Sequence, residues 1–167
     1  ILALDNKEYH LDATTTIIAD EKKPLAIAGV IGGLESGCTE TTKNVFLEVA
    51  LFEPSKVAKV GRKLGINSDA RYRFERGLDK AMVEEGLEYA SFLIKQLCGG
   101  EVSKNISAGK LIVENIKILY EFNFFQKIIG IELSQEDQIN ILNKLSFKVE
   151  DVHDDNCLVT VPSWRND

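Results

Sequence analysis

The stretch that most constrains the fold is Leu25-Ala-Ile-Ala-Gly-Val-Ile31, an apolar run of strand length that stops on Gly32-Gly33, where the backbone can take angles closed to other residues. Short alternating runs precede it. Ile1 to Leu4 and Glu8 to Leu11 flank the turn residues Asp5-Asn6-Lys7, which reads as a hairpin, and Thr14 to Ala19 continues as a strand. Downstream, Val45 to Phe52 alternates as a further strand. Val45, Leu47, Val49 and Leu51 fall on one face, leaving Glu48 on the other with Phe46 and Phe52.

Helical signals follow. Pro54 opens a helix where its missing donor does no harm, Val57, Val60 and Leu64 follow at helical spacing, and Gly65 ends it. Asn67 to Gly77 is a polar, arginine-rich connection. Asp79 caps a longer helix whose stripe is Val83, Leu87, Ala90, Ile94 and Leu97, stopped by Gly99-Gly100; that helix reads as structural. Residues 101 to about 113 read as a crossing strand plus linker. The remainder has the pattern of a separate unit. Phe122 to Ile129 forms a short helix stopped by Gly130, and Ser134 begins a capping box with Asp137. The helix that follows carries Ile139, Leu142 and Leu145 inward, and Phe147 to Glu150 pairs with Leu158 to Val161. The expected fold is therefore α+β: mixed or antiparallel β layers with helices in the first part, then a small winged-helix-like helix-helix-hairpin domain in the last fifty-odd residues. A chain of this length buries roughly 70% of the surface it exposes when unfolded, so no staples are needed.

Composition narrows the function. Three cysteines without a C-x-x-C fit neither a disulfide framework nor a zinc site, and a reducing cytosol is expected. No apolar run is long enough for a membrane span, so no membrane partner is expected. The chain starts without Met on a strand-like run, which suggests a piece of something longer. His10 and His153, the only histidines, lie in turn-rich stretches and supply neither a metal pair nor a triad base. Gly29-Val30-Ile31-Gly32-Gly33 matches neither a phosphate loop nor a dinucleotide site. The net charge of −6 argues against a chain-wide nucleic-acid surface. Lys56 to Arg76 reverses it locally, with seven cations against two anions, whereas Glu114 to Asp167 holds five cations and ten anions. The basic strip is either a polyanion contact or a solvated face of two helix ends.

Three stretches carry a resemblance when taken together and in order: Leu25 to Gly33, Val45-Phe-Leu-Glu-Val-Ala-Leu-Phe-Glu-Pro54, and Arg62-Lys-Leu-Gly-Ile-Asn-Ser-Asp-Ala-Arg-Tyr-Arg-Phe-Glu-Arg-Gly-Leu-Asp79. With the ending Val159-Thr-Val-Pro-Ser-Trp-Arg-Asn-Asp167, the chain resembles the beta subunits of bacterial phenylalanyl-tRNA synthetase over nearly its whole length.

That resemblance implies that residues 1–111 are the latter part of an editing domain, which hydrolyses tyrosine wrongly attached to tRNA(Phe), and that residues 112–167 are the small domain after it. An apolar pocket built for Phe rejects an added hydroxyl only about a hundredfold, whereas a pocket that bonds the hydroxyl selects for it sharply. Glu48 aligns with the family's tyrosine-recognising glutamate, Gly32 with a glycine at the floor of the pocket, and Ser68 and Ala70 with the opposite wall. Threonine is common at the position of Ser68. Gly32 also reads simply as a strand-end turn glycine. The family's histidine-bearing segment lies upstream of Ile1. No catalytic side chain is assigned; backbone and hydroxyl groups are expected to position water against the ester. Arg62, Lys63, Arg71, Arg73 and Arg76 are the tRNA-contact candidates, and Asp167 aligns with the first of several acidic magnesium ligands. The implied partners are tRNA(Phe), the alpha subunit and L-tyrosine or Tyr-tRNA; ATP and Mg2+ serve the whole enzyme, which is cytoplasmic. A non-catalytic structural or tRNA-contacting module of the heterotetramer is the alternative.

Overall fold

The computed structural model describes residues 1–110 and 113–167, which form two compact units, Ile1–Ala108 with Asn166 and Gly109–Arg165 with Asp167. The boundary expected at 111/112 falls outside the described residues. Both units are α+β, each built around a three-stranded antiparallel sheet, and the described residues hold five helices.

In the first unit, β1 (Ile17–Ala19), β2 (Pro24–Ile27) and β3 (Ile31–Gly32) lie in that order. The apolar run is thus two strands rather than the single strand expected. It folds back at Ala28-Gly29, where the Val30 N–H donates to the Ile27 carbonyl at 2.9 Å and Gly29 takes φ +67°. A positive φ at the second central position of a tight turn favours glycine. The run stays apolar through the turn because the turn itself is interior: Ala28 and Val30 are buried. Left-handed backbone occurs at Gly29, not at the Gly32-Gly33 pair, whose constraint is close approach. A Cβ on Gly33 would stand 2.6 Å from the Leu25 carbonyl oxygen. The N-terminal runs close as expected, with bridges pairing Leu2 with Glu8 and Ala3 with Gly33.

The strand expected over Val45 to Phe52 is absent: residues 43–53 have no regular structure. Alternation makes a segment suitable for a strand but does not supply a partner edge, and among the described residues no strand pairs with it. Phe46 is 94% exposed. α1 (Pro54–Leu64) then forms as its signals dictate, with Pro54 in the first turn and Gly65 closing it at φ +68°. Its buried Val57 and Val60 pack with Ile27, Val30 and Ile66 into the core, and Phe52 meets Phe74 at 5.2 Å between ring centroids. The arginine-rich connection holds an unexpected helix, α2 (Asp69–Phe74). α3 (Met82–Cys98) starts later than Asp79, with Ala81 at its N-cap, while the Asp79 carboxylate accepts from the Ala81 N–H at 2.9 Å. Val83, Leu87, Ala90 and Ile94 are half-buried, but Leu97 is exposed. Residues 101–110 contain no strand.

In the second unit, β6 (Asn156–Thr160) is central, flanked by β4 (Lys117–Glu121) and β5 (Lys148–Glu150). α4 (Phe122–Ile129), closed by Gly130, and α5 (Gln135–Lys144), capped by Ser134 accepting from the Asp137 N–H, match their signals. Phe122, Cys157 and Val159 form the core, joined by Ile139 and Leu142; Leu145 is exposed rather than inward, because the helix has ended there. β4 is an edge strand whose Ile118 and Leu119 are both exposed, so no one-sided alternation marks it.

Candidate functional site

Three site candidates of the first unit, Gly32, Ser68 and Ala70, belong to the elements that meet where β2 turns into β3. Gly32 ends β3, and a Cβ there would reach 3.1 Å from Leu4 Cδ1. Ser68 approaches from the other side. It caps α2 by accepting from the Arg71 N–H at 3.0 Å and donates its hydroxyl proton to the Val30 carbonyl, two residues from Gly32. A serine hydroxyl has one proton and two lone pairs, so one acceptor position remains for a water. Ala70 is in the first turn of α2. An open hollow of about 330 Å³ lies beside this junction, lined by Asn67, Ser68, Asp69, Arg71, Tyr72 and Glu75.

Glu48 takes no part in these hydrogen bonds. Its face-sharing with Phe46 and Phe52 does not arise, since the strand is not formed. Glu48 is exposed as a residue, yet its carboxyl is partly withdrawn from water, and this desolvation raises its pKa above the ordinary value. Among the described residues no hydrogen bond or ion pair offsets that. An acceptor raised in this way is short of donors.

The five cationic candidates differ. Arg62 and Arg73 are exposed and without partners among the described residues. Lys63 is paired with Asp12, which Thr14 and Thr15 also bond; the lysine holds the Asp12 carboxyl far below the usual range. Arg76 stacks 3.8 Å above the Tyr72 ring centroid and donates to the Tyr72 carbonyl at 2.7 Å. Arg71 is turned inward, its side chain 13% exposed and bonded to Ile66, Asn67 and Glu75. Sequence reasoning missed that role. Gly61, buried inside α1, carried the signal, because a mid-helix glycine costs about 1 kcal/mol relative to alanine and so marks a close approach.

In the second unit, Asp167 is gripped in bidentate fashion by Arg165, whose Nε and Nη2 donate at 2.8 and 2.7 Å, lowering its pKa to about 2. No group of three or more His, Cys, Asp or Glu side chains suited to a metal occurs among the described residues. With its carboxylate neutralised by the Arg165 guanidinium, Asp167 as it stands here does not fit a tightly held Mg2+. His10 and His153 are exposed. Cys38 and Cys98 are free and exposed, and Cys157 is free and buried. No helix among the described residues is long and apolar enough to cross a membrane.

Comparison with known proteins decides the family. Residues 1–99 match the model of the B3/4 domain, and residues 112–167 match that of the tRNA synthetase B5 domain. All 167 residues align at 46% identity with the phenylalanine-tRNA ligase beta subunit of Paramagnetospirillum magneticum. The chain belongs to the phenylalanine-tRNA ligase beta-subunit family. The beta subunit of Bradyrhizobium diazoefficiens is 44% identical over 167 residues, and that of Gluconobacter oxydans 43% over 164. The chain spans about one fifth of the length of these curated relatives, 21% of the first. Within the beta-subunit family it therefore comprises the B3/4 region, with the Ser68 junction and the basic strip, and the B5 region with the Arg165–Asp167 pair.

Proposed function

We propose that this chain supplies the latter part of the editing domain and the adjoining B5 domain of a phenylalanine-tRNA ligase beta subunit, and that its B3/4 part takes part in removing tyrosine esterified to tRNA(Phe). The observation that carries the reading is the Glu48 carboxylate in a B3/4 domain, partly withdrawn from water and without a protein donor among the described residues. An ionised carboxylate accepts a phenol proton strongly, and a substrate without the hydroxyl leaves it unpaired and desolvated, so the same group that attracts tyrosine disfavours phenylalanine. Gly32 adds no side chain of its own beside Leu4 at the strand end, Ala70 and Ser68 stand on the α2 side, and the free lone pair of Ser68 orients a water. That water adds to the ester carbonyl carbon, the bond to the ribose oxygen breaks with a proton returned to that oxygen, and tyrosine and tRNA leave. Ser68 acts here only as an acceptor, since its proton is held by Val30. The partners in this reading are the alpha subunit and tRNA(Phe), with Arg62 and Arg73 the most available cations for phosphate. ATP and Mg2+ act in the aminoacylation carried out by the whole cytoplasmic ligase; Asp167 is not needed for editing.

The test is deacylation of Tyr-tRNA(Phe) by the assembled ligase. Glu48→Ala lowers the rate at least tenfold while Phe-tRNA synthesis persists; an unchanged rate refutes the reading. A second reading, a non-catalytic module that holds subunits together, is favoured by the exposed Tyr89, Phe92 and Leu97 on α3. It requires that the wild-type ligase leave Tyr-tRNA(Phe) intact.

A further inference from the structure

We propose that Arg71 is a positioning residue of this site, fixing the Ser68 hydroxyl and through it the Val30 carbonyl, and not an RNA contact. The side chain lies across α1 over Gly61, where a Cβ would come 2.3 Å from Arg71 Cδ and 2.5 Å from its Nε. Those atoms are not the loose end of a flexible chain, because the guanidinium beyond them is tied down. Nη1 donates to the Ile66 carbonyl at 2.7 Å and to Asn67 Oδ1 at 3.0 Å, and Nε donates to Glu75 Oε2 at 3.0 Å. Arg71 thus reaches back over the loop that precedes its own helix. Its side chain fixes the two residues before Ser68, and its main-chain N–H donates to Ser68 Oγ at 3.0 Å. One residue therefore donates to Ser68 from its main chain and anchors the loop before it with its side chain, and the Ser68 proton goes to Val30. Either two-nitrogen fork that a guanidinium offers a phosphate includes Nε or Nη1, and both are already engaged. Gly61 is the complement of this arrangement: any side chain there evicts Arg71.

The activity half of the test rests on the editing reading; the exchange half does not. In the assembled ligase, Arg71→Lys keeps the charge but loses the fork, and Gly61→Ala keeps Arg71 but displaces it. Both are expected to lower kcat for Tyr-tRNA(Phe) deacylation at least tenfold with KM and tRNA affinity within twofold of wild type. Arg73→Glu, by contrast, raises KM and weakens tRNA binding. Asn67→Ala removes one acceptor and gives a smaller fall of the same kind, which keeps the test open should Arg71→Lys not assemble. Amide hydrogen exchange at Arg71, whose N–H donates to Ser68 Oγ, measured on the same proteins, quickens at least tenfold in Arg71→Lys and Gly61→Ala. Unchanged exchange, or a loss of tRNA affinity in Arg71→Lys matching that of Arg73→Glu with kcat kept, overturns the proposal. Faster exchange in a ligase whose wild type leaves Tyr-tRNA(Phe) intact removes the editing reading and leaves the positioning role standing.

Discussion

One serine hydroxyl with two partners joins α2 to the turn between β2 and β3. Ser68 caps α2 and ties it to the Val30 carbonyl, so Ser68→Ala removes a cap and leaves the Arg71 N–H without its acceptor. A lost cap costs about 1 kcal/mol. Chemical denaturation should show that loss in Ser68→Ala and little change in Ser68→Thr, which keeps the hydroxyl. Glu48 gives the opposite kind of prediction. Its folded pKa is raised by desolvation, so the native state binds its proton more tightly than the unfolded chain does, and ionisation costs stability as pH rises through that folded value. Glu48→Gln should therefore be more stable than wild type above the raised pKa, with the gap closing as pH falls below the ordinary carboxylate range, near pH 4. Thermal unfolding between about pH 3 and about pH 7 measures it. Aligned residue identities were legible in the sequence; the inward turn of Arg71 was not, because charge alone does not tell a guanidinium that bonds carbonyls from one that faces water.

At the level of elements, chain punctuation was the reliable signal. Pro54 and Gly65 bracket α1, Gly130 closes α4, and Ser134 with Asp137 opens α5, because each acts through local backbone chemistry that later packing does not reverse. Strands were less legible, since a strand needs an edge the sequence does not name. The alternation of Val45 to Phe52 found none, and β4 formed with apolar residues exposed. α2 was hidden by its polar composition, and its cap was visible only as Ser68 followed by Asp69. The turn between β2 and β3 yields a comparison of two glycines with nearly equal φ. Gly65 has open space around it, so Gly65→Ala should cost about 1 kcal/mol from backbone strain. Gly29 has Phe52 Cδ2 and Val57 Cγ2 each 3.0 Å from where a Cβ would stand, so Gly29→Ala adds overpacking and should cost about 3 kcal/mol. Denaturant midpoints at constant m-value separate the two.

Across the whole molecule, charge is segregated along the chain, with cations concentrated from Lys56 to Arg76 and anions from Glu114 onward. The basic strip is smaller in effect than its count, because Lys63 and Arg71 are engaged within the first unit. Lys56, Lys59, Arg62 and Arg73 remain exposed, and reversing Arg62 and Arg73 to Glu in the assembled ligase should weaken tRNA(Phe) binding and flatten its salt dependence; unchanged affinity and slope would remove these two arginines from the binding surface. The α+β class and the separate helix-helix-hairpin pattern were readable because each unit's helix stops and apolar stripes are local, whereas the pairing of β4 with β6 joins segments far apart in sequence. The central claim is that Glu48 reads the tyrosine hydroxyl. Its most direct test is the ratio of deacylation rates for Tyr-tRNA(Phe) and Phe-tRNA(Phe) in the assembled ligase, wild type against Glu48→Gln. The account predicts a strong preference for the tyrosyl ester that falls at least tenfold in Glu48→Gln; an equal ratio in both proteins would contradict it.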